Sequence, residues 1–438
     1  MFNKVIHPLL IILLFSTSLM AKEERGEFYL KNGTKVIYRR IEANKIGSLN
    51  LFVRGGCLNL TKETMGLEAL TLKLMLRGSK RYPKERLEKE LSQMGTRFNA
   101  SSGYDYSYLN MTCLSKYFDR SLDIFSDCIL NPLFDAQELS LLQGKLIADL
   151  KRKYADPDEM VWYKANETLM RDHPYINYQE GSPQTIEGFN QDDLFRYKGK
   201  VIKTGQVFLV YVGDLSQGDL DKELNRAFGA IPRGDYSLPP IPQFEDRTNQ
   251  IIVAEKPGLT TAYIAGKFPA PSPSDPDFPA LQIAMSLLST NLDLSLRTKH
   301  ALTYATWSFA TSYRRPWGGV YISTAKPNEA IKLIYSEIDK MKKEPPPQEE
   351  LRNQITRYIT LFYYRNETAE SQAQNLGAAE FSYGDWSYHY RWVDDLKKVS
   401  PQDVLRMMGK YFTHLKLGVY TDSEKMPIQK DLFLSFGG

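Results

Sequence analysis

Histidine is scarce in this chain of 438 residues, with five in all. His7 lies in an apolar leader, which leaves His173, His300, His389 and His414. None of the four stands three or four residues from another, so no helix presents two imidazoles to one metal ion. Cysteine is scarcer, with Cys57, Cys113 and Cys128 only, so a Cys/His zinc site is excluded. Three thiols cannot all pair within one chain; they read as small buried apolar residues, with a Cys113–Cys128 disulfide left open. Phosphate-loop, dinucleotide and nucleophile-elbow glycine motifs are absent. Lysine plus arginine is 56 against 52 for aspartate plus glutamate, a formal +4. With no basic run, nucleic acid is excluded as a partner. The carboxylates are many, but their spacing singles out no catalytic pair.

What is present begins with a leader. Lys4, the short apolar run Leu9–Phe15 and the small residues up to Ala21 form a secretory signal, with cleavage expected after Ala21. The run is far shorter than the ~20 residues of a spanning helix, so the mature chain is expected to be exported, to a periplasm, with no membrane span. The length calls for two domains. Asn32-Gly33 between two alternating stretches predicts a hairpin over 27–39. Strands are expected at 48–53, 96–100, 104–113 and 206–212, and helices at 83–94, 118–130, 135–155 and on to 171. Residues 237–247 (SLPPIPQFEDR) read as a linker. The order of elements then repeats, with Glu138-Leu139 and Glu350-Leu351 standing 212 residues apart, which predicts a duplicated α+β unit over 22–236 and 248–438.

The stretch Thr64–Ser79 (TMGLEALTLKLMLRGS) is apolar almost all round the helical wheel, so it is expected to be a buried helix. Thr61 or Thr64 is a candidate cap at its start and Gly78 a left-handed stop at its end. Its frame, Gly-Leu, helix, Leu-x-Gly-Ser, resembles the first motif of the pitrilysin/insulinase family of zinc peptidases. YLKNGTKVIYR, MGTRFNASSGYDYSYLNMTC, NPLFDAQELSLLQGKLIADLKRKYADP and LSLRTKHALTYATWSFA extend the resemblance over residues 25–425. It implies two homologous domains, each an antiparallel sheet covered by helices, closing on a peptide cavity.

The family's His-x-x-Glu-His motif falls on Ala69, Leu72 and Lys73, and its third ligand on Asp149. The resemblance therefore implies a zinc site that has lost its chemistry, with no metal and no cofactor of its own. Asp149 either pairs with Lys73 in the space of the metal or turns out to water at the helix edge. Arg297 and Tyr304 fit the family's Arg-x6-Tyr frame, which implies a cation and a phenol aimed at a substrate carbonyl. Without the family, the same two residues are a helix end and a strand start. Asn99 and Ala100 resemble the edge strand to which an extended peptide adds. Lost zinc residues beside a retained Arg/Tyr pair imply the non-catalytic subunit of a heterodimeric zinc peptidase, opposite a zinc-bearing homologue. A metal-free peptide-binding or chaperone-like homodimer and a structural subunit of a larger complex are the alternatives.

Overall fold

The computed structural model describes residues 24–43, 45–244 and 247–437. The expected leader lies outside them, as do Glu245 and Asp246 of the 237–247 segment. The chain opens on the predicted hairpin, β1 (Glu24–Tyr29) and β2 (Lys35–Arg40), turned at Gly33 with φ 97°. There follow β3 (Ile46–Arg54), α1 (Leu67–Met75), α2 (Lys84–Met94), β4 (Arg97–Ser102) and β5 (Tyr106–Leu114). Four long helical segments come next: α3 (Phe118–Leu130), α4 (Ala136–Ala155), α5 (Pro157–Leu169) and, after a short α6 (Pro183–Gly188), α7 (Gln191–Val201). β6 (Val207–Gly213) and α8 (Gln217–Phe228) close the first half. Sequence reading passed over α7 and α8, although Asn190 and Ser216 carry their capping signals and accept hydrogen bonds from the first-turn amides.

The second half runs β7 (Gln250–Glu255), β8 (Ala262–Pro269), α9 (Phe278–Leu292), β9 (Ala305–Ala310), β10 (Trp317–Thr324), α10 (Pro327–Lys343) and α11 (Gln348–Tyr364). It ends with α12 (Ala369–Tyr383), α13 (Tyr388–Lys397), α14 (Pro401–Tyr411), β11 (Lys416–Thr421) and α15 (Lys430–Leu434).

The two sheets are ordered β1-β2-β6-β3-β5-β4 and β7-β11-β8-β10-β9. Adding five to each label of β2-β6-β3-β5-β4 gives the second sheet, so the duplication read from 212-residue spacing is a duplication of topology. It holds to the residue in the long helices: α4 and α11 start at Ala136 and Gln348, α5 and α12 at Pro157 and Ala369, each 212 apart. Each sheet is antiparallel except for one pair, β2–β6 in the first and β7–β11 in the second. Those closing strands return only after a helical excursion, the connection a parallel pair requires.

Each sheet has one face packed against helices of its own half. The other face is covered by a helix from the opposite half. Ala369, Ala373 and Leu376 of α12 pack on Ile37, Phe52 and Phe208 of the first sheet. Val161 and Ala165 of α5 pack on Ala265 and Tyr321 of the second. Glycines set both distances: a Cβ on Gly377 would enter the Phe52 ring, and one on Gly418 of β11 would lie 2.5 Å from Ala165 N and 2.6 Å from Val161 O. All three cysteines are buried and free, so no Cys113–Cys128 disulfide forms.

Within the 237–247 segment, Ile241 and Pro242 are strapped to this junction. Ile241 is buried with Trp317 and Tyr175, and its carbonyl accepts from the Arg315 guanidinium at 2.9 Å. His173 lies beneath it: Nδ1 accepts from Tyr175 N (3.1 Å), which leaves Nε2 to donate to Pro242 O (3.2 Å). A second proton would turn Nδ1 into a donor facing a donor, and burial pushes the imidazole down to about 4. His389 is likewise pushed to about 4 by burial. Both are neutral in the folded chain, whereas the unfolded chain takes up protons near the ordinary value of 6.5. Stability is therefore full above pH 6.5 and falls as pH drops from there toward 4. Each group contributes about 2 kcal/mol at most once solvent screening is allowed for. Thermal melts across that range should show the fall, and His173→Gln should flatten it by about half.

Candidate functional site

The helix α1 starts at Gly66, whose φ of 85° suits glycine and whose missing Cβ would sit 2.8 Å from Gly181 Cα. Thr64 is not the cap: its hydroxyl accepts from Thr61 N at 2.8 Å instead. Nor is Gly78 a left-handed helix stop. The helix ends at Met75, and Gly78 has φ 154° beyond it, its carbonyl accepting from Leu133 N. Burial is as the wheel predicted, with Leu67, Ala69, Leu70, Leu72, Leu74 and Met75 all inside.

Sequence reading missed Glu68, the one acid in this apolar run. It is 1% exposed and accepts from Tyr197 OH at 2.5 Å, Asn59 Nδ2 at 3.2 Å and the Ser107 hydroxyl. Burial pushes its carboxyl above the ordinary range, and these hydrogen bonds pull the other way. A lone acid on an all-apolar wheel was the available signal, since a buried carboxyl demands partners.

Four of the eight predicted residues meet around one cavity of about 250 Å³: Ala69 and Lys73 from α1, Ala100 from β4 and Asp149 from α4. Leu72 is fully buried in the core and does not line the cavity. β4 is an edge strand, as expected of Asn99 and Ala100. Alternation along the strand separates those two: Ala100 lines the cavity, while Asn99 is exposed and its side chain accepts from Ala100 N at 2.9 Å.

Asp149 and Lys73 share the cavity without pairing. The Asp149 carboxylate is held by Arg152, one turn on along α4, and Lys73 forms no ion pair with it. An arginine at i+3 on the same helix reaches the carboxylate while both stay in contact with water, so no desolvation opposes that pair. Of the two possibilities left open by the sequence, the turn to the helix edge is the one observed. Burial lowers the Lys73 ammonium, and the Glu180 and Asp149 charges act against that. Glu180 and Lys153, which the sequence reading did not name, also line the cavity and pair with each other. Lys153 stands four residues after Asp149 and was findable. Glu180 comes from the loop before α6 and carries no local signal.

This donor set does not fit zinc. Its two carboxylates are each held by a cation, Asp149 by Arg152 and Glu180 by Lys153, and no imidazole or thiolate lines it. Among the described residues no three His, Cys, Asp or Glu side chains come together so as to hold a metal ion.

Arg297 and Tyr304 lie elsewhere. Beyond α9 the chain continues in a π-helical turn, Asp293–Lys299, within which Arg297 pairs with Asp293 at 3.4 Å. Such turns are rare and recur at functional sites. Ala301, with φ 49°, then reverses the chain into β9. Tyr304, at the foot of that strand, is 94% exposed. Neither residue lines the Lys73 cavity.

The insulinase (peptidase family M16) profile matches residues 35–179, and the peptidase M16 inactive-domain profile matches residues 188–358. The chain belongs to the insulinase family. Among relatives of this M16 chain, an uncharacterized zinc protease of Rickettsia felis is 21% identical over 405 residues, 90% of this chain and 96% of that one. The mitochondrial-processing peptidase subunit beta of Saccharomyces cerevisiae is 22% identical over 331 residues, 70% and 71%. The crystal structure of a peptidase M16 inactive domain from Pseudomonas fluorescens superimposes with a TM-score of 0.83 at 19% identity, covering 91% of this chain and 98% of the other. The two-sheet fold is thus common to this chain and that structure.

Proposed function

We propose that this M16 chain is the non-catalytic subunit of a two-chain zinc peptidase. In this reading a homologous partner bears the zinc and cleaves peptides, while Arg297 and Tyr304 reach across to the substrate carbonyl. The observation that carries it is their placement: a guanidinium on a π-helical turn and a phenol open to solvent, neither lining the Lys73 cavity. A fixed cation and a hydroxyl donor stabilise charge developing on a carbonyl oxygen without a metal of their own. The edge strand β4 supports the peptide part, because no other strand pairs with its outer side, to which an extended chain can add. Residues 22–236 and 248–438 form the two domains of this subunit, joined by 237–247, and the leader at 1–21 directs it to the periplasm. Among the described residues no helix is long and apolar enough to cross a membrane.

The test is to co-express the chain with a zinc-bearing M16 homologue from the same genome and follow cleavage of an unstructured peptide. Cleavage is expected from the pair and not from this chain alone. Arg297→Ala should lower kcat/KM of the pair about 10²-fold, the size of one lost transition-state donor, without changing assembly by size exclusion. Unchanged activity in that variant, or one zinc per chain in the isolated protein, overturns the reading.

A further inference from the structure

The duplication produces a second cavity, of about 460 Å³, framed by α9, β9, α11, α12 and α13. It is the internal counterpart of the Lys73 cavity, with α9 in the place of α1, β9 of β4 and α11 of α4. The 212-residue offset carries Asp149 onto Leu361, Leu150 onto Phe362 and Lys153 onto Arg365, and all six line their respective cavities. Their contents have diverged. The first holds two cations and two anions, while the wall of the second contains Arg357 and Arg365 and no aspartate or glutamate. Neither guanidinium has a hydrogen bond or ion pair to a described residue, yet both charges act on the Tyr358 hydroxyl. Around them stand aromatic rings: Trp392 stacks on Phe362 at 5.3 Å, and His389 lies 4.9 Å from the same ring.

We propose that this second cavity binds a carboxylate carried on an aromatic or large apolar group, and that its ligand is the carboxyl end of a peptide. Two arginines without counter-ions match a carboxylate by paired, charge-assisted hydrogen bonds. The rings supply faces for the attached side chain, and the volume is that of an ordinary small-ligand site. Ser308, Phe309 and Ala310 of the edge strand β9 form part of the wall. The residues that precede the carboxyl end can therefore run along free main-chain groups. This site requires neither Arg297, Tyr304 nor a second chain, so it stands or falls separately from the subunit reading.

The test is calorimetric titration of the full chain at pH 7 with acetyl-phenylalanine, acetyl-phenylalanine amide and acetyl-trialanyl-phenylalanine. The free acid is expected to saturate and the amide to bind at least about tenfold more weakly. The tetrapeptide acid should bind more tightly than acetyl-phenylalanine. The double variant Arg357→Ala/Arg365→Ala, at exposed positions, should melt as the parent does and lose at least about tenfold in affinity for both acids. Equal binding of acid and amide, no saturation below about 10 mM, or an unaffected double variant overturns the carboxylate site. Equal affinity for the two acids overturns the peptide as its ligand. Tighter binding of phenyl phosphate than of either acid overturns the carboxylate assignment in favour of a phosphoryl group.

Discussion

Valine in place of Gly418 is expected to cost the folded chain about 3 kcal/mol or more, because the clash is with backbone. A Cβ there would lie 2.5 Å from Ala165 N, 2.6 Å from Val161 O and 2.9 Å from Lys164 C. No rotamer change relieves those contacts; α5 must lift from the sheet as a body. Lifting it uncovers Ala265 and Tyr321 and loosens Lys267. That lysine is 4% exposed, donates to Asn166 Oδ1 of α5 and lies 4.6 Å from the Trp317 ring. Burial pushes its ammonium down to about 7. Urea unfolding followed by tryptophan emission is the measurement, since Trp162 sits on α5 itself. A midpoint within error of the parent would mean that α5 does not pack on β11 as described.

Alanine in place of Glu68 should cost about 3–4 kcal/mol, by leaving the Tyr197 hydroxyl and the Asn59 amide without their acceptor and opening a void in α1. Glu68→Gln keeps an acceptor of the same shape and should stay within about 1 kcal/mol of the parent. The pH dependence separates this from simple packing. A carboxyl whose folded value is raised adds stability that is complete below the ordinary 4.5 and lost as pH rises through the folded value. The parent should therefore lose stability relative to Glu68→Gln as pH rises through that window, and the Gln variant should lack the slope. Chemical denaturation of both variants at pH 4 and pH 7 makes the comparison.

Much of this molecule was legible in its residues, and the reasons are local. Asn32-Gly33 forces a turn, Gly95 ends α2 in the left-handed region, and Asp135 caps α4 by accepting from Gln137 and Glu138 amides. Each of these acts within four residues, where sequence spacing is geometry. The meeting of Ala69, Lys73, Ala100 and Asp149 was legible only through the family resemblance, because it joins α1, β4 and α4 across 80 residues. Local chemistry also explains the failure. A Lys73–Asp149 pair was conceivable from family positions, but Arg152 lies on the same helix and costs less to use. Glu138, three residues beyond the Asp135 cap, pairs with Arg77 and Lys84. The exchange of α5 and α12 had no signal at all, since a helix that packs on the opposite half has the same apolar period as one that packs on its own.

That exchange has a consequence for how the chain can be divided. A cut in 237–247 severs one backbone connection but frees neither half, because each retains a helix whose seat is on the other. Expressed alone, the first half would display Val161 and Ala165 with nothing beneath them, and would leave Phe52 and Phe208 bare. Expressed together, the fragments hold everything needed to find each other. A chain cut there is accordingly expected to behave as a split protein: two fragments, each unstable by itself, that regain the whole by trading helices.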